Sequence, residues 1–424
     1  MEKNRINKVL AEQLSLIKLS KEELEIINKS AESIIEKIGK SLKKLKIKAT
    51  IFIGGSLAKG TIIKKVVNDV DIFIRFDKEE KIDDFEKIIK GSGKDYRMIH
   101  GSRDYAQIKI DNIIFEIIPT LKVNSPKKAK NITDLSYFHV NYLDKKIRKN
   151  KKLADEIILT KSFAHGAGCY GAESYIKGFS GYSVELLIIH YKSLINFIKA
   201  VVKHNGEEKI IIDTEKLYKG KKILREINEA KLSSPIILID PTYKERNALA
   251  ALSMETYKKF KEHCKKFIKN PNSKLFEQEN INKEKIKNEA ENNGREFGII
   301  EIKTNKQSGD IAGTKLLKFS HLFVEEIKRY YDKPEINFEY DDGQKAMIYF
   351  TGKKLEEKIV RGPPIDKIDG CKAFKKKYPS NQIKDGMLIA KIIINKDLNQ
   401  ALKEFKKMHS KTMKEMGITE IKII

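Results

Sequence analysis

Asp69 and Asp71 flank a single valine in Asp69-Val-Asp71-Ile-Phe-Ile74. Val70, Ile72, Phe73 and Ile74 mark this stretch as a buried β-strand, and residues i and i+2 of a strand point to one face. Two carboxylates on one face repel unless cations lie between them. A pair of divalent ions about 3.5–4 Å apart is a known arrangement for phosphoryl transfer. Glu116 supplies a further acid, interrupting Ile113-Ile-Phe115 and Ile117-Ile-Pro119. A charged carboxylate in an apolar strand is costly unless it is paired, protonated or bound to metal. The plainer readings are a solvated strand end for the aspartates and a lysine ion pair for Glu116.

The preceding strand ends in Ile53-Gly-Gly-Ser56-Leu-Ala-Lys59. Gly-Gly-Ser lets backbone N–H groups approach an anion closely, and a following turn or helix start favours negative charge. Ser56 can donate a hydroxyl to a phosphate, and Lys59 can add a positive charge. A tight turn that merely lets a helix pack would leave the same trace.

These residues need a sheet to hold them. Residues 1–45 read as two helices, the second opened by the capping box Ser20-Lys-Glu-Glu23. Strands are expected over 46–53, 70–76 and 113–118, with helical segments between and after them, giving a mixed sheet with helices packed on it. From 153 to 268 the pattern is largely helical, with breaks at the loop Asn205–Glu208 and at Ser233-Ser-Pro235. Residues 269–295 are polar and Asn-rich and mark a boundary. Beyond them a strand is expected over 296–303, then an amphipathic helix carrying Phe319, Leu322, Phe323 and Ile327. Next come a hairpin about Asp341-Asp-Gly343 and a break at Arg361-Gly-Pro-Pro364. The end reads as strand (387–395), helix (398–416) and strand (418–424).

The chain has 424 residues, with Lys plus Arg at 85 against Asp plus Glu at 59, a formal net charge of +26. Such an excess attracts polyanions beyond contact range and points to nucleic acid. An AT-rich genome would explain lysine codons, but not why glutamate fails to balance them. Cys169, Cys264 and Cys371 are widely spaced, which excludes a disulfide framework and a CxxC zinc knuckle and fits a reducing cytosol. No apolar run approaches the ~18 residues of a membrane span, and the charged N-terminus has no signal-peptide core. The expected location is cytoplasmic.

Gly-Ser, a short linker, Asp-x-Asp and a later single carboxylate resemble the signature of DNA polymerase-β-like nucleotidyltransferases. Further blocks narrow the resemblance to archaeal-type, class I CCA-adding enzymes (tRNA nucleotidyltransferases). They are Phe115-Glu-Ile-Ile-Pro119, Lys161 with Tyr170-Gly-Ala-Glu173, Gly178-Phe-Ser-Gly-Tyr-Ser-Val-Glu-Leu-Leu187 and Asp240-Pro-Thr-Tyr-Lys-Glu-Arg-Asn247, the last followed by an Ala-rich helix. Gly313-Thr-Lys-Leu-Leu-Lys-Phe319 and Arg361-Gly-Pro-Pro364 add to it in the tail. The resemblance implies a multidomain α/β and α+β protein. Residues 1–150 would form a nucleotidyltransferase head (palm) with a mixed sheet, 151–268 a helical, base-reading neck, and 269–424 an α+β body and tail that binds tRNA.

It also implies a mechanism and its residues. Such enzymes add CCA to the 3′ end of tRNA from CTP and ATP without a template. Asp69, Asp71 and Glu116 would be catalytic and hold two Mg²⁺ ions, with Mn²⁺ as an alternative. Ser56 and Lys59 match triphosphate contacts, His139 a nucleotide contact, Lys161 a phosphate or sugar contact, and Tyr170 a contact near ribose and base. Arg246 stands where the family uses an arginine to hydrogen-bond the incoming base. Three features depart from the family pattern: Glu116 where Asp is usual, Lys59 where Arg is common, and one extra residue between Ser56 and Asp69. The implied partners are the tRNA acceptor arm, CTP and ATP, with no membrane and with room for a homodimer.

Each residue also has a plainer reading. His139 could be a core or turn histidine, Tyr170 a packing residue, Lys161 one lysine among many, and Arg246 a surface partner of Glu245. The rival functions are a poly(A) polymerase or oligoadenylate-synthase-like enzyme using ATP alone, a catalytically inactive RNA-binding homologue, and a small-molecule nucleotidyltransferase. The last would have no need of so long and basic a chain.

Overall fold

The Ser20 hydroxyl accepts from Glu23 N at 3.1 Å, and Glu23 accepts from Ser20 N at 2.8 Å. This is the predicted capping box, and it starts α2 (Lys21–Lys44) directly after α1 (Glu2–Ile17). The computed structural model describes residues 2–206, 208–218, 223, 227–278 and 281–424. The chain divides into two compact units, Met1–Glu279 and Asn280–Ile424. Among the described residues no helix is long and apolar enough to cross a membrane.

The first unit continues with β1 (Ala49–Ile53), α3 (Gly55–Ala58), β2 (Asn68–Phe76), α4 (Phe85–Gly91), β3 (Arg97–Ile99), β4 (Tyr105–Ile110) and β5 (Ile113–Leu121). The five strands form one sheet in the order β1-β2-β5-β4-β3. β1 and β2 are antiparallel, and β2 and β5 are parallel. A parallel pair needs a long crossover, which here holds α4 and the β3–β4 hairpin. That hairpin was not expected. β3 is only three residues long, and polar Gln107 and Lys109 dilute the apolar signal of β4.

Strand alternation then sorts the faces. Val70, Ile72, Ile74 and Phe76 of β2 and Ile113, Phe115 and Ile117 of β5 pack with Ile27, Ala31, Ile34 and Ile38 of α2 and with Phe85, Ile88 and Ile89 of α4. The other parity, with Asp69, Asp71 and Glu116, is left on the opposite face.

α5 (Ser136–Lys149), α6 (Lys152–Gly166), α7 (Gly181–Tyr191) and α8 (Leu194–Lys203) follow. They pack with Ile6 and Val9 of α1 around Phe163, Phe179 and Phe197. The region is not purely helical. β6 (Ile210–Ile212), β7 (Ile236–Asp240) and β8 (Tyr243–Asn247) form a small sheet before α9 (Met254–Lys269). A short apolar run such as Ile236-Ile-Leu-Ile239 does not by itself tell strand from helix. The Ala-rich stretch after Asn247 forms turns, and the helix begins only at Met254.

The second unit opens with α10 (Lys283–Asn292), an exposed helix within the polar stretch 269–295, of which residues 279–280 lie outside the described residues. Then come β9 (Glu296–Thr304), α11 (Asp310–Ile327), β10 (Tyr331–Tyr340) and β11 (Lys345–Lys354). The predicted hairpin forms with Phe338 opposite Ile348 and Tyr340 opposite Ala346. β12 (Glu357–Pro364), α12 (Ile368–Lys377), β13 (Asn381–Lys384), β14 (Met387–Ile393), α13 (Leu398–Met408), α14 (Ser410–Met416) and β15 (Ile418–Ile423) complete it. Its sheets have the orders β10-β11-β9-β15 and β12-β14-β13. Arg361-Gly-Pro-Pro364, expected as a break, lies within β12. That strand is a sheet edge, where proline is tolerated, and its register shifts between Arg361 and Pro364.

Asp134 pins the entry to α5. It is 1% exposed. It accepts from Arg103 Nη1 at 2.6 Å, Leu121 N at 2.7 Å, Asn131 N at 3.0 Å and Lys130 N at 3.1 Å. Removing one partner of a buried charge pair costs about 3–5 kcal/mol. Asp134→Ala is therefore expected to lose that much stability in urea denaturation, and a loss below ~1 kcal/mol would contradict the role given to Asp134.

Candidate active site

Parallel pairing sets Asp71 directly opposite Glu116, and Asp69 opposite Ile114. Paired strands lie about 4.8 Å apart, so the two opposed carboxylates are neighbours on one face. Glu116 accepts from Gln107 Nε2 of β4 at 2.9 Å. Burial pushes its pKa up to about 7, and the charges of Asp71 and Asp69 act in the same direction. Burial also raises Asp71, against the pull of Lys59. Asp69 sits at the more exposed strand end, 3.4 Å from Lys65. The structure thus brings two acids side by side, with the third beside them at the edge. Among the described residues no group of three or more His, Cys, Asp or Glu side chains is arranged to hold a metal ion.

The two glycines explain how the first turn reaches this strand. Gly54 N donates to Asp71 O at 2.8 Å. Gly55 has φ +56°, and a Cβ there would lie 1.6 Å from Asp71 Oδ2; one on Gly54 would meet the Phe73 ring at 2.2 Å. Only Gly-Gly lets the backbone lie on the acidic strand. Above it opens a cavity of about 480 Å³, walled among others by Ser56, Lys59, Asp69, Asp71, Lys161 and Tyr170. Tyr170 stacks on His165 with ring centroids 4.2 Å apart. A Cβ on Gly181 would meet the Tyr170 hydroxyl at 2.8 Å, so the Gly178–Leu187 segment makes room for that ring.

Lys59 and Lys161 are not independent cations. Both bind Glu185 of α7, a residue 0% exposed that residue-by-residue reading did not single out. Glu185 Oε2 lies 2.6 Å from Lys59 Nζ, and its Oε1 lies 2.9 Å from Lys161 Nζ. Thr61 Oγ1 donates to Oε1 at 2.9 Å. Burial alone would raise the pKa of Glu185, but Lys161 and Lys59 more than offset it and hold the carboxyl at about 2.

His139 and Arg246 lie on a second buried carboxylate, Asp240. His139 Nε2 is 3.1 Å and Arg246 Nη1 2.7 Å from Asp240 Oδ2, while the Tyr182 hydroxyl donates to Oδ1 at 3.0 Å. The Tyr182 ring stacks on His139 at 3.9 Å and also lines the cavity, so it joins this cluster to the first. Glu245, the partner of Arg246 in the plainer reading, pairs with Lys127 at 3.0 Å instead. Asp240 and Tyr182 were not foreseen. Both belong to motifs quoted from the sequence, but nothing local marks an acid whose partners are distant in the chain.

The sheet, the opposed acids and the cationic cavity define a nucleotidyltransferase of the polymerase-β-like class. A solved cytoplasmic RNA terminal U-transferase shares the fold, with a TM-score of 0.51 at 14% identity over 65% of this chain and 99% of that one. Residues 35–134 match the family described as nucleotidyltransferase domain. Residues 155–277 match the one described as tRNA nucleotidyltransferase, second domain. The CCA-adding enzyme of Nanoarchaeum equitans is 41% identical over 212 residues, 49% of this chain and 52% of that one. That of Methanocaldococcus jannaschii is 30% identical over 403 residues, 91% of this chain and 87% of that one. The chain belongs to the archaeal-type CCA-adding enzyme family, a family of tRNA nucleotidyltransferases that implies dependence on a divalent metal.

The raised Glu116 makes a pH prediction for metal-free protein. Below its ordinary pKa of 4.5 the carboxyl is neutral, folded or unfolded. Between 4.5 and about 7 the unfolded chain ionises first, so stability falls as pH rises, and above about 7 the full cost is present. Glu116→Gln removes that cost. It is expected to raise stability by about 1–3 kcal/mol at pH ~8, fading to nothing near pH ~4. Thermal melts across pH check this; a gain independent of pH would contradict the assigned shift.

Proposed function

We propose that this chain adds C, C and A to the 3′ end of tRNA from CTP and ATP without a nucleic-acid template. The RNA 3′-oxygen attacks the α-phosphorus as the bond to the β-phosphate oxygen breaks, and pyrophosphate leaves. The observation that carries the reading is Asp71, opposed by Glu116 on the sheet, in the wall of a cavity that Lys59 and Lys161 also line, in a member of the CCA-adding family.

Asp69, Asp71 and Glu116 offer only oxygen donors, which suit a hard cation. The burial and mutual repulsion that raise Asp71 and Glu116 are what such a cation would relieve. We assign these three acids to two Mg²⁺ ions, with Mn²⁺ as an alternative. When bound, the cations supply the charge that lowers the hydroxyl pKa and stabilises the departing pyrophosphate. The remaining residues bind and orient. Ser56 donates its hydroxyl to the triphosphate, Lys59 its free ammonium hydrogens, and Lys161 its charge. Tyr170 lies against ribose and base. His139 and Arg246, held by Asp240, face the incoming base, and a guanidinium can donate to acceptors on both C and A.

We assign catalysis to residues 1–150, base reading to 151–268 and the grip on the tRNA acceptor arm to 269–424. A-form RNA offers phosphates, shape and 2′-hydroxyls that lysine-rich surfaces bind without reading sequence. The excess of +26 supports that grip. Three unpaired cysteines fit a cytoplasmic location, and a homodimer is compatible with this reading.

The test is a tRNA transcript lacking its last three nucleotides. CTP alone should add two residues, and CTP plus ATP three, with arrest there. Long A-tails from ATP alone would favour the poly(A) polymerase reading. Asp71→Ala and Glu116→Ala should each lower incorporation at least ~100-fold with the fold intact; wild-type rates in both would sink the metal assignment. Affinity for tRNA should fall at least ~10-fold between about 50 and 200 mM salt, and a flat titration would count against an electrostatic grip.

A further inference from the structure

We infer that Glu185 is a positioning residue for the nucleoside triphosphate, fixing the places from which Lys59 and Lys161 meet it. The inference rests on the function proposed above and extends it to a residue behind the cavity wall. The network joins four residues of three chain segments. Lys59 and Thr61 follow α3, Lys161 lies on α6 and Glu185 on α7. Each Glu185 oxygen takes a different lysine, at 2.6 Å and 2.9 Å.

The hydrogen inventory divides the labour between the lysines. An ammonium group has three hydrogens and no acceptor. Lys161 has three acceptors in place: Glu185 Oε1 at 2.9 Å, Thr61 Oγ1 at 3.0 Å and Thr61 O at 3.3 Å. It is 3% exposed, so its charge reaches the cavity while its hydrogens stay with the protein. The Lys59 ammonium group makes one hydrogen bond among the described residues, to Glu185. Its other hydrogens remain for a ligand in the cavity it lines. Lysine is a point charge on a flexible stem, without the rigid fork of arginine. A carboxylate holding it from behind gives that stem one direction.

Charge balance points the same way. Within the network, two ammonium groups against one carboxylate leave one positive charge, felt by Asp71 in the same cavity wall. A buried charge is unfavourable until an anion meets it, and a polyphosphate entering the cavity is such an anion. With Glu185 removed, two unbalanced cations would repel across the same wall, and Lys59 would lose its direction. A merely structural ion pair would instead matter for stability and leave nucleotide preference untouched.

The experiment measures binding of CTP and CMP to the full chain, with steady-state constants for CTP and ATP. Wild type is expected to prefer CTP. In Glu185→Gln, affinity for CTP should fall about tenfold or more while that for CMP holds. KM should rise for CTP and ATP alike, with kcat changed less than about threefold. Lys59→Met should cost CTP affinity similarly, and the double variant E185Q/K59M little more than either alone, since positioning acts through Lys59. Should E185Q not fold, E185M/K161M removes both buried charges at similar volume and should lose more of the preference than K161M alone, because Lys59 then also loses its anchor. An unchanged CTP-to-CMP preference in these variants, or additive losses in the double variant, overturns the inference and leaves the proposed function standing. A wild type that binds CTP and CMP equally overturns both.

Discussion

Parallel pairing of β2 with β5 forces Asp71 and Glu116 into opposition on one sheet face, and the surrounding structure answers that constraint. Two carboxylates at strand spacing repel, and the burial that β2 and β5 need for their apolar parity makes the repulsion stronger. The fold does not relieve it with a local cation. Lys59 and Lys161 acts on Asp71 only through their fields, because both ammonium groups are bound to Glu185. The acid pair is left frustrated in the free protein, as is usual for groups kept ready for a ligand.

The same logic appears twice more with the sign reversed. Glu185 and Asp240 are both fully buried carboxylates, and neither stands alone. Glu185 gathers two lysines, and Asp240 gathers His139, Arg246 and the Tyr182 hydroxyl. Burial opposes the charge of each, and their hydrogen-bonding and charged partners more than compensate. Such a pair is weak evidence for stability, since apolar side chains of equal volume often serve as well. What it gives is a fixed orientation. Flexible side chains become parts of a wall, one group beside the acids and the other joined to it through Tyr182.

Legibility in the sequence followed from how local each signal is. The acidic strand, Gly54-Gly55-Ser56 and Glu116 were readable because strand parity is a two-residue rule. The structure adds the reason for the glycines, which is contact with Asp71 as much as access to an anion. The β3–β4 hairpin and the β6-β7-β8 sheet were not readable, because their strands are short and their apolar runs ambiguous. Glu185 was invisible for another reason: its bond to Lys59 spans 126 residues. In α7 it reads as one polar residue in Val184-Glu-Leu-Leu-Ile188, and nothing nearby says what it meets.

The two kinds of positive charge in this chain answer to different physics. Most of the excess of +26 is carried by exposed lysines, whose attraction for RNA is long-ranged and screened over about 8 Å at physiological ionic strength. Lys59 and Lys161 at the cavity are almost buried and bonded to one acid, so salt reaches them little. A surface field can hold any tRNA without reading it, and it confers no chemistry. A buried network can orient a triphosphate within fractions of an ångström, and it has no reach. An enzyme that must accept every tRNA yet add a fixed sequence needs both. The structure separates them, keeping the diffuse charge on lysine-rich surfaces and the directed charge where Glu185 and Asp240 constrain it.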